Sequence, residues 1–285
     1  MNSNTNAKQL VKERYGIIAG QTKEQNLSSC CGATSGCCGG DVHNIMTDEY
    51  SDISGYVPEA DLGLGCGLPT EFAQVKEGDT VIDLGSGAGN DVFVARRLVG
   101  EIGRVIGIDF TEQMIERAKA NAEKLNYRNV QFRLGDIEDM PVTANIADVV
   151  ISNCVLNLVP NKHKAFSEIY RVIKPGGHFS ISDIVLEGEI PTKWKELAEL
   201  YAGCISGAIQ KGSYLEIIGE AGFANVKIQR DKTIHIPDEL LAEYLSEEEI
   251  LEYKNSKTRI ASVTVCADKP AKDARSCCEP GNNCC

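Results

Sequence analysis

The spacing of hydrophobic positions changes along this chain, and the changes divide it. Residues 7–19 put Leu10, Val11, Tyr15 and Ile18 on one face, which predicts an amphipathic helix. From 21 to 40 the periodicity vanishes into QTKEQNLSSCCGATSGCCGG, a polar, glycine-bearing stretch read as loop. Residues 40–60 show no clear pattern. Short apolar runs then alternate with helix-spaced segments. Strands are predicted at 80–84, 103–109, 129–134, 147–152 and 177–184, and helices at 89–98, 111–125 and 160–173. Thr111 before Glu112 suits a helix start, and Lys174-Pro175-Gly176-Gly177 stops the last of these helices. Such alternation predicts a parallel, doubly wound sheet. Beyond it, Pro191 opens a helix, a second helix over 213–221 ends at Gly222, and a strand follows at 226–228. An acidic helix over 237–253 and a final strand over 260–267 complete the pattern. Residues 270–285 are polar with Gly and Pro, and read as a disordered tail.

The stretch 81–97 organises the rest. Val81 to Leu84 form a buried strand interrupted by Asp83; Gly85, Gly87 and Gly89 make a tight turn; Asn90 opens a helix. A strand, a glycine turn and a helix N-terminus bring backbone N–H groups to a ligand at the carboxyl edge of a sheet. The spacing is GxGxG, not GxGxxG, and no Gly-Lys-Ser/Thr follows for a phosphate loop. The second strand ends in Asp109, placed to accept hydrogen bonds from ribose hydroxyls. Phe110 and Met114 can flank an adenine, and Gly135-Asp136-Ile137 closes the third strand with an acid for the adenine amino group. In this order the pieces resemble class I S-adenosylmethionine-dependent methyltransferases over about residues 70–185. The other reading is a doubly wound domain holding a different nucleotide. The fold expected is α/β: a doubly wound, mostly parallel, Rossmann-like sheet with an N-terminal helical and loop extension and a C-terminal α+β subdomain.

Composition narrows the function. The 285 residues carry 29 basic and 41 acidic side chains, a net charge of −12. No basic stripe appears, so nucleic acid is not an expected partner. No export segment and no membrane-length apolar run is readable, which predicts a cytoplasmic protein with no membrane partner. Twelve cysteines in such a compartment should be mostly thiols, able to bind a soft ion or react. Cys154 directly follows the fourth strand in Ser152-Asn153-Cys154-Val155, beside the crevice where ligands of open α/β sheets bind. It reads equally as a small buried hydrophobe. Cys66 lies among Gly63, Gly65 and Gly67 and is expected as an exposed thiol on an open loop. Cys204 sits between Gly203 and Gly207 after the fifth strand. Segments in those two places commonly fold over the carboxyl edge, where the three thiols could meet. Cys266 alternates with apolar neighbours and reads as structural.

The runs LGLGCGLPT, SNCVLNLVP and YAGCISGA resemble the arsenite S-adenosylmethionine methyltransferases, a likeness covering about residues 8–268. The resemblance implies that Cys66, Cys154 and Cys204 bind trivalent arsenic as thiolates and form the catalytic set. It implies cofactor binding by Asp83, Gly85, Ser86, Gly87, Asn90, Asp109, Phe110, Met114, Gly135, Asp136, Ile137 and Asn153. A further family cysteine upstream falls among Cys30, Cys31, Cys37 and Cys38, with the choice open. Arsenite and methylated trivalent arsenicals are the implied substrates, with a thiol reductant, thioredoxin or glutathione, as co-substrate. Thiolates favour soft ions. Trivalent arsenic held by three sulfurs keeps a lone pair for a sulfonium methyl, so no general base is required. None of His43, His163, His178 or His235 occupies a catalytic-looking motif.

The implied organisation is an N-terminal helix with Cys-rich loops covering the site (1–69), the cofactor domain (70–185), C-terminal helices and strands completing the substrate site (186–269), and the tail. Two rivals stand beside this reading. A methyltransferase for a small organic acceptor would need a base or polar acceptor groups, and would survive loss of Cys154 and Cys204. A thiol-based metalloid-sequestering protein would bind without turnover and ignore Asp109→Ala.

Cys30-Cys31 with Cys37-Cys38, and Cys277-Cys278 with Cys284-Cys285, share the form CC-x5-CC. The repeat suggests that both segments capture arsenicals and deliver them to the core. Deleting 271–285 should then lower the arsenic bound per chain and slow turnover at low arsenite. Unchanged stoichiometry and rate would leave the tail without that role.

Overall fold

The structure, a computed structural model, describes residues 3–28, 49–188, 207–235, 241–242, 246–256 and 258–271. Cys30, Cys31, Cys37, Cys38, Cys204 and the cysteines of the tail therefore lie outside the described residues, as does the helix expected at Pro191. The strands are β1 (Thr80–Leu84), β2 (Arg104–Asp109), β3 (Val130–Leu134), β4 (Ala147–Asn153), β5 (Ile173–Glu187), β6 (Ala224–Thr233) and β7 (Arg259–Asp268). They form one sheet in the order β3-β2-β1-β4-β5-β7-β6. The pairs β1·β2, β1·β4, β2·β3 and β4·β5 are parallel, whereas β7 runs antiparallel between β5 and β6. Strand order reverses between β1 and β4, which opens a crevice at their carboxyl ends. The expected doubly wound, mostly parallel sheet is present.

Alternation along the strands decides which helix covers which face. Ile82, Leu84, Val150, Phe179 and Ile181 join a core with α6 (Lys162–Val172) and α7 (Lys211–Glu220). Val81, Val105, Val149 and Ile151 pack with α4 (Asn90–Val99) and α5 (Glu112–Lys124) on the other side. Strands covered on both faces lose polar alternation and read as apolar runs, which is why they were legible.

Helix α1 (Ser3–Ile18) buries Ile18 against Leu62, Ala88 and Met114, next to the glycine turn. The stretch read as loop from residue 21 contains a short helix, α2 (Lys23–Ser28). A capping box starts it: the Gln25 N–H donates to Thr22 Oγ1 at 3.3 Å, and the Thr22 N–H donates to Gln25 Oε1 at 2.8 Å. Strand β6 extends well beyond 226–228 because β7 pairs with it along its length, with register shifts that break its apolar alternation. The single acidic helix expected over 237–253 is interrupted: residues 241–242 are helical, Ser246 is not, and a separate helix capped by Ser246 runs Glu247–Asn255. The short helix α3 (Pro69–Phe72) joins the Cys66 loop to the sheet. Among the described residues no helix is long and apolar enough to cross a membrane.

Phe166 is fully buried, with its ring 6.0 Å from Phe179 and 5.6 Å from Tyr214 in an edge-on contact. Phe166→Ala should destabilise the fold by about 3–5 kcal/mol, measurable by urea unfolding with an unchanged slope. A loss under about 1 kcal/mol would show that α6 repacks freely.

Candidate active site

The glycine turn is built as a cradle. Gly85, Gly87 and Gly89 all take positive φ (67°, 51° and 102°), a region that glycine enters without steric cost. A Cβ on Gly85 would lie 2.3 Å from Val155, and one on Gly89 2.9 Å from the Phe93 ring. A Cβ on Gly87 would meet only the Met114 sulfur at 4.0 Å, so bare backbone forms the wall there.

A cavity follows the carboxyl ends of the strands in sheet order. Gly135, Asp136 and Ile137 line it beyond β3, Asp109, Phe110 and Met114 beyond β2, Asp83, Gly85, Ser86, Gly87 and Asn90 around β1, and Asn153 and Cys154 at β4. All twelve residues expected to hold cofactor thus border one space. Asp109 Oδ2 accepts the Gly87 N–H at 3.0 Å and Oδ1 the Thr111 N–H at 2.8 Å. The Thr111 hydroxyl and the Phe110 N–H also favour the Asp109 anion. Asp136 is engaged as well: Lys8 Nζ sits 2.5 Å from Oδ2 and the Glu138 N–H 2.9 Å from Oδ1. Lys8 also reaches Glu138 at 2.7 Å, which ties α1 across that end of the cavity.

Electrostatics set the opposite end. Burial, reinforced by Asp91 and Asp109, pushes the Asp83 carboxyl well above the usual range. Burial raises Asp91 to about 6, against hydrogen bonds from Asn153 and Tyr50 that favour its anion. Asp109 is raised by burial too, opposed by the N–H groups of Thr111 and Gly87. The Tyr50 hydroxyl lies 3.0 Å from Asp91 Oδ1, and burial holds its ionisation well above normal. Three carboxyls facing one cavity favour a cation. Ser86 Oγ and Asn90 Oδ1 are buried there without a hydrogen-bond partner. Unpaired polar atoms and a bare glycine wall fit S-adenosylmethionine, a polar cation carrying ribose and adenine.

The cysteines differ from expectation in one respect. Cys66 is not exposed: it is fully buried and bridged to Cys154 as a disulfide, with a Cα–Cα distance of 5.7 Å. Its glycine neighbours serve close packing rather than openness, since a Cβ on Gly65 would lie 2.7 Å from Asn153 and one on Gly67 2.6 Å from Ser182. Cys154 is 2 % exposed, lines the cavity, and adopts φ +61°. Cys266, half-buried on β7, points its sulfur at the Phe72 carbonyl at 3.7 Å, in keeping with a structural role. Among the described residues no cluster of three His, Cys, Asp or Glu side chains could hold a metal. Tyr50 and Asp91 were missed by sequence reasoning. An acid in the first turn of a helix reads as a favourable dipole partner, and nothing local pairs it with a tyrosine far upstream.

The fold and the cavity define a methyltransferase of the S-adenosylmethionine-dependent class, and a family model described as a methyltransferase domain matches residues 75–222. An arsenite methyltransferase of Halobacterium salinarum is 38% identical over 278 residues, which covers 93% of this chain and 67% of the relative. One from Aquipseudomonas alcaligenes is 32% identical over 83% of this chain and 68% of its own length. The crystal structure of an arsenic (III) S-adenosylmethionine methyltransferase from Chlamydomonas reinhardtii superposes with a TM-score of 0.60 at 32% identity, over 72% of this chain and 68% of that one. The chain belongs to the arsenite methyltransferase family.

Asp91 titrating at about 6 gives a pH signature. Above that pH its carboxylate attracts a cation; below it the group is neutral. Affinity for S-adenosylmethionine should fall by up to about tenfold per pH unit below about 6. S-adenosylhomocysteine lacks the sulfonium charge and should respond less. Calorimetric titration of both from pH 7 to 5 checks this, and parallel profiles would show that the Asp91 charge does not act on the sulfonium.

Proposed function

We propose that this chain methylates trivalent arsenic with S-adenosylmethionine as donor, holding the arsenic on the thiolates of Cys66, Cys154 and Cys204. The observation that carries the reading is the juxtaposition of Cys66 and Cys154 at the β4 end of the cofactor cavity. The chain also returns to that edge three residues after Cys204: a Cβ on Gly207 would lie 1.8 Å from the Asn157 carbonyl oxygen.

Bound in the cavity, S-adenosylmethionine supplies an electrophilic methyl group on a positively charged sulfur. Asp109 accepts its ribose hydroxyls, Asp136 the adenine amino group, and Asp83 with Asp91 faces the cationic end. The cysteines do the rest. Arsenous acid exchanges its three hydroxyls for three thiols with release of three waters, and the thiolate sulfurs donate density that keeps the arsenic lone pair nucleophilic. Holding that lone pair beside the cofactor is the main catalytic term. The Cys66–Cys154 disulfide must first open, taking two electrons and two protons from an external dithiol or two monothiols. Thioredoxin or glutathione suits that need, in a reducing compartment such as the cytoplasm. Cys30, Cys31, Cys37 and Cys38 offer a further arsenic ligand.

The test is methylation of arsenite with S-adenosylmethionine and excess thiol. The wild type should yield methylarsenicals, and Cys154→Ser should lower the rate by about 10²-fold or more. A folded, cofactor-binding wild type that makes none would move the search to organic acceptors. Equal turnover by both proteins would remove Cys154 from the arsenic site.

A further inference from the structure

The β5–β7 face that turns away from α6 and α7 is polar where a buried sheet is normally apolar. His178, Ser180 and Ser182 alternate along β5, with Ser262, Thr264 and Cys266 along β7; Ser180 pairs with Cys266 and Ser182 with Thr264. The three serines and Thr264 are at most 5 % exposed. Several of these side chains donate to main-chain carbonyls of the segment that crosses the face. Ser262 Oγ donates to the Cys66 carbonyl at 2.5 Å, Ser180 Oγ to Pro69 at 2.8 Å, and His178 Nε2 to Ala73 at 2.6 Å.

Cys66 is held on its other side too. Its N–H donates to Asn153 Oδ1 at 3.1 Å. The amide of Asn153 is oriented without ambiguity, because Nδ2 faces the Gly67 carbonyl at 2.8 Å and Asp91 Oδ2 at 3.2 Å, both acceptors. Both backbone polar groups of Cys66 are therefore taken by side chains, one from the residue before Cys154 and one from β7. Cys154 is fixed in parallel, its N–H donating to the Ser182 carbonyl at 2.8 Å.

We infer that Ser262 and Asn153 are positioning residues: they clamp the Cys66 peptide so that its sulfur stands opposite Cys154 as half of a preformed dithiol for a thiophilic substrate. The inference deepens the arsenic-site reading and rests on it for the identity of the substrate, whereas the clamp itself has a readout independent of arsenic. Ser262 does not border the cofactor cavity, so its removal separates dithiol geometry from cofactor binding.

The experiment equilibrates the full chain with mixtures of reduced and oxidised glutathione. Cys66 and Cys154 give up two electrons and two protons to one oxidised glutathione, forming their disulfide and two reduced glutathiones, and the equilibrium reports the effective concentration of one thiol at the other. Ser262→Ala should lower that effective concentration by about threefold to tenfold, the size expected from one lost buried hydrogen bond. The KM for arsenite should rise by a similar factor, with affinity for S-adenosylmethionine unchanged. Ser262→Thr, which restores the hydroxyl, should recover both. Ser180→Ala removes the same kind of bond three residues further on, so it should lower thermal stability while leaving the dithiol equilibrium as in the wild type.

An unchanged glutathione equilibrium in Ser262→Ala overturns the clamp, and so do equal shifts in Ser262→Ala and Ser180→Ala, which would mark a general loss of stability. A shifted equilibrium in a protein that methylates no arsenical would keep the clamp and reject the arsenic reading. The two can fail separately.

Discussion

The site depends on how the chain leaves β4. Strand pairing keeps Ala147 to Asn153 extended, and the next residue, Cys154, turns into the left-handed region at φ +61°. A non-glycine residue there costs about 1 kcal/mol or more, and a cysteine has no short polar group to ease it. The conformation persists because the surroundings over-determine it. The Cys154 N–H is bound by Ser182, the Asn153 amide before it is fully engaged, and Val155 after it packs over Gly85 where any side chain would collide. The left-handed turn thereby joins three things: the thiol at the cavity, the glycine cradle, and the loop carrying Cys66. Relaxing it would separate them together.

Charge follows the same economy. A net charge of −12 says little about the site, because the decisive carboxyls are those taken out of water. Burial, with Asp91 and Asp109 beside it, raises Asp83, and for Asp91 burial outweighs the hydrogen bonds from Asn153 and Tyr50. A buried acid cluster of this kind destabilises the empty protein at neutral pH and is relieved by a cation. A cation bound beside Asp83 and Asp91 would relieve that cost. Arsenous acid is neutral and neither gains nor loses from that field.

The parts of this architecture legible in the sequence are those fixed by local pattern. Val81 to Gly89 announces strand and cradle because an apolar run followed by three alternating glycines leaves few alternatives. Asp109 ends β2 and Asp136 stands two residues past the end of β3, so both are legible as acids at the carboxyl ends of strands. Cys66 was misjudged because its environment comes from elsewhere: Asn153 lies 87 residues on and Ser262 lies 196 residues on. Glycines flanking a thiol look like freedom in one dimension and prove to be room for neighbours in three. Nothing local marks Ser180, Ser182, Ser262 and Thr264 as buried, since each alternates with apolar neighbours. Only the crossing segment reveals that the polar face is buried and that its hydroxyls have backbone partners.

The two ends of the cavity are closed by different physics. At the adenine end the closure is α1, held by Lys8 at side chains 30% and 39% exposed for the Asp136 pair. Ion pairs that wet are worth about 0–1 kcal/mol each. Arg117 Nη1 donates to the Ala19 and Gln21 carbonyls at 2.8 and 2.6 Å, Asn26 Nδ2 donates to the Leu62 carbonyl at 3.0 Å, and Ile18 adds apolar burial. At the thiol end the closure consists of buried hydrogen bonds to main-chain carbonyls, each costly to leave unsatisfied. Opening at α1 would part wet ion pairs and uncover the apolar contacts of Ile18, whereas opening at the thiol end would leave buried carbonyls unpaired.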